Sequence, residues 1–280
     1  MTGFNKNRAA YLPDLKLYAK NKNSALLINS VGIGSLELIK DSMIYKESFD
    51  ILKQAEFLSV RDSISSEYLD SLNIKNILCP DSVHSIKKLL DDKIEEKILL
   101  HDINFEYILF QCNQYYIQDN SLDFIVRSIE QLIEKYNKNI YLFAAGIARH
   151  HDSIELYKQI IDKINDSFKN KVLIIYDRNP LSLVKYIKYS KMWIGTSLHG
   201  RIIAITYSIP RISLENKKVA QYVSLWDSQF PYDVSLNELI NSCEIAFNVD
   251  TSKLNEIALL LENKAYENLK NNLEGSNEKQ

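Results

Sequence analysis

Apolar residues recur along this chain in two rhythms. Short, nearly unbroken apolar runs alternate with longer stretches in which apolar positions return every three or four residues. The first rhythm is that of strands buried on both faces, and the second that of helices with one apolar face. The runs lie at 24–29, 57–60, 76–79, 107–111, 140–144, 172–176, 192–194 and 211–214. Helical spacing is expected over 36–54, 64–72, 121–136, 153–167, 181–190, 202–209, 217–225, 235–245 and 252–272. In 121–136, for example, Leu122, Ile125, Ile129, Leu132 and Ile133 fall on one helix face. Regular alternation of strand and helix predicts parallel sheets with helical crossovers. The stretch 87–104 is charge-rich and reads as a solvated helix and a linker, so the boundary is placed there. The expected fold class is α/β, with two Rossmann-like lobes, 1–100 and 101–280, a ligand cleft between them and a long C-terminal helix. Residues 1–23 are polar and expected to be irregular or partly helical, and the last residues should fray.

In open parallel sheets, ligands gather at the carboxyl ends of strands. Five segments occupy such ends: 30–35, 61–62, 111–113, 145–152 and 195–201. The last is the richest, reading Gly195-Thr196-Ser197-Leu198-His199-Gly200-Arg201 between a strand and a helix. Glycine permits a tight or left-handed turn, and Thr196 or Ser197 can cap the helix. The first amides of a helix have no internal acceptor, which makes its start an anion site. A histidine in that turn adds a group able to move a proton near neutral pH. The plain alternative is an ordinary strand–turn–helix unit of an α/β domain.

The other strand ends carry weaker signals, each with a structural alternative. Ser30-Val31-Gly32-Ile33-Gly34-Ser35 holds Gly-x-Gly without a third glycine and reads better as a tight turn than as a dinucleotide loop. Arg61-Asp62 is either a cleft arginine with a capping aspartate or half of an internal salt bridge, and Asp81 suits a turn. Gln111 and Asn113 could hydrogen-bond a sugar or simply finish a turn; Cys112 between them has no evident base partner. Arg149 offers a fork for an anion, and Asp152 is well placed to cap the following helix. His150 and His151 do not match a zinc-helix spacing, so no metal is expected. His84 and His101 stand alone and read as surface or core residues. Lys217-Lys218 could meet an anion or begin a solvated helix.

Composition narrows the classes. The 280 residues are 46% apolar and 25% charged, as in soluble globular proteins. A formal net charge of -2 gives no bulk electrostatic case for nucleic acid. No apolar run approaches the length of about 18 residues that a membrane span needs, and the first residues lack a signal-peptide core. Three widely spaced cysteines, Cys79, Cys112 and Cys243, fit a reduced, cytoplasmic setting. Abundant Asn, Lys, Ile and Tyr suit an AT-rich bacterial genome.

Ser59-Val60-Arg61-Asp62, Asp81 and above all Gly195-Thr196-Ser197-Leu198-His199-Gly200, followed by Ile203-Ala204 and Ile209-Pro210, resemble the polysaccharide pyruvyl transferase family over roughly 56–225. The resemblance implies a two-lobed, GT-B-like fold. It also implies transfer of the pyruvyl group of phosphoenolpyruvate onto two hydroxyls of a sugar, giving a ketal and phosphate, in capsule, exopolysaccharide or cell-wall synthesis. His199 then matches the family histidine as the catalytic residue. Gly195, Thr196, Ser197, Gly200, Arg201, Arg149, Lys217, Gln111 and Asn113 are the substrate-binding candidates. No cofactor or metal is implied beyond the phosphoenolpyruvate donor. A lipid-linked acceptor would bring the protein to the inner face of the membrane. Ser197 stands where many members carry arginine, and Arg201 could replace that charge. The glycine- and aspartate-containing turn that opens many members is not found, so a reduced N-terminal lobe is expected. Two further readings stay open. One is a GT-B glycosyltransferase using a nucleotide sugar, with Glu215 as its tempting residue; the other is a non-catalytic homologue that binds polysaccharide precursors.

Overall fold

A computed structural model describes residues 26–33, 50–99, 106–146 and 151–274. The expected helix over 36–54 lies outside these residues, apart from a helical turn at 50–52. In chain order the described elements begin with strands β1 (Leu27–Val31) and β2 (Phe57–Val60), helix α1 (Ser63–Ser71), β3 (Ile77–Leu78) and α2 (Ile86–Glu95). Next come β4 (Tyr107–Gln111), α3 (Gln114–Asn120), α4 (Leu122–Tyr136), β5 (Asn139–Phe143), α5 (Ile154–Lys163), β6 (Val172–Ile175) and α6 (Pro180–Lys188). The series closes with β7 (Met192–Gly195), α7 (Leu198–Thr206), β8 (Arg211–Ser213), α8 (Lys217–Trp226), α9 (Leu239–Phe247) and α10 (Thr251–Glu274).

The chain forms two compact units, Met1–Ser85 with Leu261–Gln280, and Ile86–Leu260. The boundary thus falls before the charge-rich stretch rather than within it. Ion pairs explain why. Lys188 on α6 bonds Asp91 at 2.9 Å and Glu95 at 2.5 Å. Tyr207 Oη donates to Asp91 at 2.8 Å. Asp91 and Glu95 thus fasten α2 to the larger unit, while Lys87, Lys88, Asp92, Lys93 and Glu96 are exposed, as expected of a solvated helix.

In the smaller unit, β1, β2 and β3 form a parallel sheet in that order. Its core is Ile28, Leu52, Leu58, Val60, Leu69 and Ile74. The strand-end polar residues are satisfied internally. Arg61 pairs with Asp81 at 2.5 Å, both side chains being 5% exposed. The Asp62 carboxylate caps α1 by accepting from the Ser65 amide at 2.8 Å. The buried stripe of α10 is apolar through Leu261 and Ala265, then turns to Asn268 and Asn272. Asn268 Nδ2 donates to Asn29 Oδ1 at 2.7 Å and to Ser59 Oγ at 3.1 Å, which pins this end of the helix to β1 and β2.

The larger unit holds a five-stranded parallel sheet in the order β6-β5-β4-β7-β8. Alternate residues of one strand enter opposite cores. Ile108 and Phe110 pack with Ile125, Ile129, Leu132 and Ile133 of α4 and Ile160 of α5. Tyr107 and Leu109 pack with Tyr186 and Ile187 of α6, Trp193 of β7 and Ala204 of α7. Burial on both faces is why these strands read as unbroken apolar runs. Helix α4 ends where Asn137 takes a left-handed conformation and returns its N–H to Ile133 O.

Beneath β8 lies a buried charge cluster. Asp227 accepts from Arg201 Nε at 2.8 Å and from Arg211 Nη2 at 2.5 Å, and all three side chains have zero exposure. Arg201 also donates to Ser213 Oγ and to the carbonyl of Pro231. Burial works to raise the Asp227 pKa, but the two arginines outweigh it and hold the carboxyl below its usual value. A depressed carboxylate contributes stability above its unfolded pKa of about 3.9, and that contribution is lost as pH falls through the lower folded value. Asp227→Ala leaves two cations buried without their counter-ion and should cost about 3–5 kcal/mol. Urea denaturation at neutral pH measures this, and an unchanged midpoint refutes it.

Candidate functional site at the ends of β4 and β7

The strand order has one switch point. From β4 the sheet runs to β5 and β6 on one side and to β7 and β8 on the other. The connections after β4 and β7 therefore leave in different directions, the arrangement that in open parallel sheets places ligands at the carboxyl ends of the strands. Gln111, the last residue of β4, is in register with Gly195, the last residue of β7. The richest motif in the sequence stands at this switch point.

Close approach explains both glycines. No described glycine has positive φ, so a left-handed backbone is not what Gly195 and Gly200 supply. A Cβ on Gly195 would lie 2.7 Å from Gln111 Oε1 and 3.0 Å from the Gln111 carbonyl oxygen. A Cβ on Gly200 would overlap the six-membered ring of Trp193. Ser197 is the helix cap: its backbone is extended and its hydroxyl accepts from the Gly200 amide at 3.2 Å. His199 is the second residue of α7 and is exposed, while Leu198, Gly200 and Arg201 are buried.

A second helix starts beside this turn. Asn216 caps α8 by accepting from the amides of Lys218 and Val219, and its Nδ2 donates to the Thr196 carbonyl at 3.4 Å. The N-termini of α7 and α8 are thereby joined through one side chain. Lys217, the first residue of α8, is exposed. Two helix starts, an imidazole and a lysine make this face suited to an anion.

Behind the exposed groups lies a buried polar network. Gln111 Oε1 accepts from the Thr196 amide at 2.8 Å, and Gln111 Nε2 donates to Asp152 Oδ1 at 2.7 Å. Asp152 Oδ2 accepts from the amides of Ala145 at 2.6 Å and Gly146 at 3.3 Å, just beyond β5. Thr196 Oγ1 accepts from the Asn113 amide at 3.1 Å, while the Asn113 side chain caps α3. Burial pushes the Asp152 pKa up to about 7, against the hydrogen bonds from Gln111, Ala145 and Gly146.

The sequence-based candidates therefore separate. Gly195, Thr196, Ser197, His199, Gly200, Lys217, Gln111 and Asn113 come together at the switch point. Only His199 and Lys217 among them are exposed, with Ser197 and Asn113 half-buried. Arg201, expected to meet an anion, points into the core, where Asp227, Ser213 and the carbonyls around Pro231 engage its guanidinium. Arg149 lies outside the described residues. Asp152 does not cap α5; Ser153 does, by accepting from the Leu156 amide. Cys112 is fully buried and its thiol is held well above the ordinary value by that burial. The Asp152–Gln111 link was missed. Its sequence signal was a glutamine ending an otherwise apolar strand, with no local clue to its partner.

The fold and this site define a GT-B-like α/β protein. UDP-GlcNAc 2-epimerase from Methanocaldococcus jannaschii superposes with a TM-score of 0.61 at 17% identity, covering 86% of this chain and 68% of that one. The enzyme of the same name from Neisseria meningitidis, bound to UDP-GlcNAc, gives 0.60 at 14% identity, covering 98% and 74%. The N-terminal domain of Candida albicans trehalose-6-phosphate phosphatase gives 0.55 at 13% identity, covering 94% and 69%. Likeness at these identities concerns the fold alone. Comparison with curated proteins finds no match. Residues 2–218 match the model of the polysaccharide pyruvyl transferase family, and the chain belongs to that family of transferases. The match extends well beyond the 56–225 stretch on its N-terminal side. Among the described residues no helix is long and apolar enough to cross a membrane.

Two outcomes follow from this geometry. Gly200→Ala forces a methyl into the Trp193 ring and should destabilise the protein by about 1–3 kcal/mol, read as a lower urea midpoint. The second concerns Asp152, which keeps its proton to about pH 7 when folded but releases it near 3.9 when unfolded. Its contribution to stability is complete below the unfolded value and declines as pH rises through about 7. The urea midpoint should fall between pH 5 and pH 8, and Asp152→Asn should flatten that fall; an equal slope in both proteins contradicts the assignment.

Proposed function

We propose that this protein transfers the pyruvyl group of phosphoenolpyruvate onto two hydroxyls of a sugar in a surface polysaccharide or its precursor. The observation that carries the reading is the exposed His199 in the first turn of α7, at the switch point of the larger sheet and beside the start of α8. Membership of the family supplies the reaction class.

Phosphoenolpyruvate is a phosphate and a carboxylate on one small carbon frame, so its site needs two cationic or amide-rich positions close together. The starts of α7 and α8, with Lys217, supply two such positions. Ketal formation begins with a proton delivered to C3, which makes C2 electrophilic. One sugar hydroxyl attacks C2 and gives up its proton. The C2–O bond to phosphate then breaks, phosphate departs, and the second hydroxyl adds to C2 with loss of its own proton. Three of these steps move a proton, onto C3 or off an attacking hydroxyl, and His199 is the exposed group in this turn that can give or take one near neutral pH. The helix start beside it stabilises negative charge on the leaving phosphate.

The test is phosphate release from phosphoenolpyruvate in the presence of a panel of saccharide acceptors. His199→Ala should lower the rate by about 10²–10⁴-fold. Unchanged release in that variant refutes the role of His199. Thermal stabilisation by a UDP-sugar, with no response to phosphoenolpyruvate, overturns the donor assignment in favour of a nucleotide-sugar enzyme.

A further inference from the structure

The Gln111 side chain can adopt only one orientation in this network. Its Oε1 faces the Thr196 backbone N–H at 2.8 Å, and a backbone N–H can only donate. The amide therefore presents its NH₂ group to Asp152, 2.7 Å away. Asp152 consequently receives three donors, one from Gln111 and two from the amides of Ala145 and Gly146. Replacing a carboxylate oxygen with a donor at the Gln111 contact would set two donors face to face. Gln111 could escape only by turning away from Thr196, whose amide is buried and would lose its side-chain acceptor.

Thr196 is the peptide through which this tension would spread. Its Oγ1 accepts from Asn113 at the start of α3, and its carbonyl accepts from Asn216 at the start of α8. The next residue, Ser197, caps α7. From this chain of single-orientation hydrogen bonds we infer that Asp152 is a positioning residue. Through the Gln111 amide it sets the orientation of Thr196, and with it the turn that carries His199. The inference rests on reading that turn as the reactive site.

The surroundings of Asp152 favour such a role at neutral pH. Cys112 and Tyr157 lie beside it, and burial keeps both protonated and neutral. His151 precedes it in the chain. Burial lifts Asp152 to about 7, so its charge is poised to change near physiological pH.

The test uses the seven glycines of the chain. Protein labelled with ¹⁵N-glycine gives one amide signal per glycine, and Gly195 and Gly200 bracket the turn. Measurement in the His199→Gln background removes the titration of the imidazole itself. Both signals should shift with pH with a midpoint of about 7. Asp152→Asn should abolish the titration. Gln111→Ala should abolish it as well, because it removes the side chain that joins Asp152 to the Thr196 amide; this arm decides the matter if Asp152→Asn does not fold. Persistence of the titration in either folded variant, or its absence from the parent, overturns the inference. Calorimetry with phosphoenolpyruvate runs alongside. Absence of binding together with the expected glycine titrations would sink the donor assignment and leave the positioning role supported.

Discussion

The hydrogen bond between the Gln111 side chain and the Thr196 amide is the constraint on which the site depends. Parallel strands β4 and β7 are held together along their length by backbone bonds, but at their ends the chain departs in opposite directions. Thr196 is the first residue past the ladder. Its amide meets both the Gln111 carbonyl at 3.3 Å and the Gln111 side chain at 2.8 Å. One glutamine thus continues the pairing by one residue on the side where the chain must turn. For the side chain to lie there, nothing can project from Gly195. The glycine is required by the neighbouring strand, and the turn conformation itself makes no such demand.

From that point, helix geometry assigns the roles of three consecutive residues. Successive positions on an α-helix are about 100° apart, so residues two apart point to nearly opposite sides. His199 faces solvent; Gly200 lies against the Trp193 ring, and Arg201 enters the core to meet Asp227. An arginine two places after the histidine therefore cannot share its ligand. Its effect on the site is indirect: it anchors the inner face of α7 to Asp227, just past the end of α8, and to the Pro231 carbonyl. Burial lowers its pKa to about 10, still high enough to keep it charged at neutral pH. The face left open toward solvent carries His199 on α7 and Lys217 on α8.

Much of the fold was legible in the sequence because its strands are buried on both faces. Runs such as 107–111 and 140–144 have no competing interpretation when helical stretches flank them. Helix α3 was not legible, since Gln114-Tyr115-Tyr116-Ile117-Gln118-Asp119-Asn120 has no apolar periodicity. It exists because Asn113 caps it and because Tyr116 and Ile117 find the core. The domain boundary shifted because charge composition cannot distinguish a solvated helix from an ion-paired one. At the candidate site, the turn after β7 stood out because glycine, hydroxyl and imidazole are local signals. The fates of Arg201 and Asp152 were hidden because their partners lie 26 and 41 positions away. An aspartate next to a serine at a helix start gives no sign of which will cap it. Here the serine did, which released the carboxylate to reach across the sheet.

These two kinds of residue stand in a definite relation. The exposed histidine and lysine are the groups that can touch a ligand, and both stand at helix starts. Their usefulness depends on how firmly the first turns of α7 and α8 are held. Both turns are tied to the Thr196 peptide, one by covalent continuity and the other through Asn216. That peptide is in turn tied to Gln111, and Gln111 to a carboxylate whose charge varies near neutral pH. A fold shared with nucleotide-sugar enzymes does not specify chemistry. In this chain the switch point holds its own set of exposed groups, backed by a buried chain of hydrogen bonds with one permitted orientation. A substitution inside that chain alters the geometry of the exposed groups without touching them, so the reach of the site is set by Asp152, Gln111 and Thr196 as much as by His199.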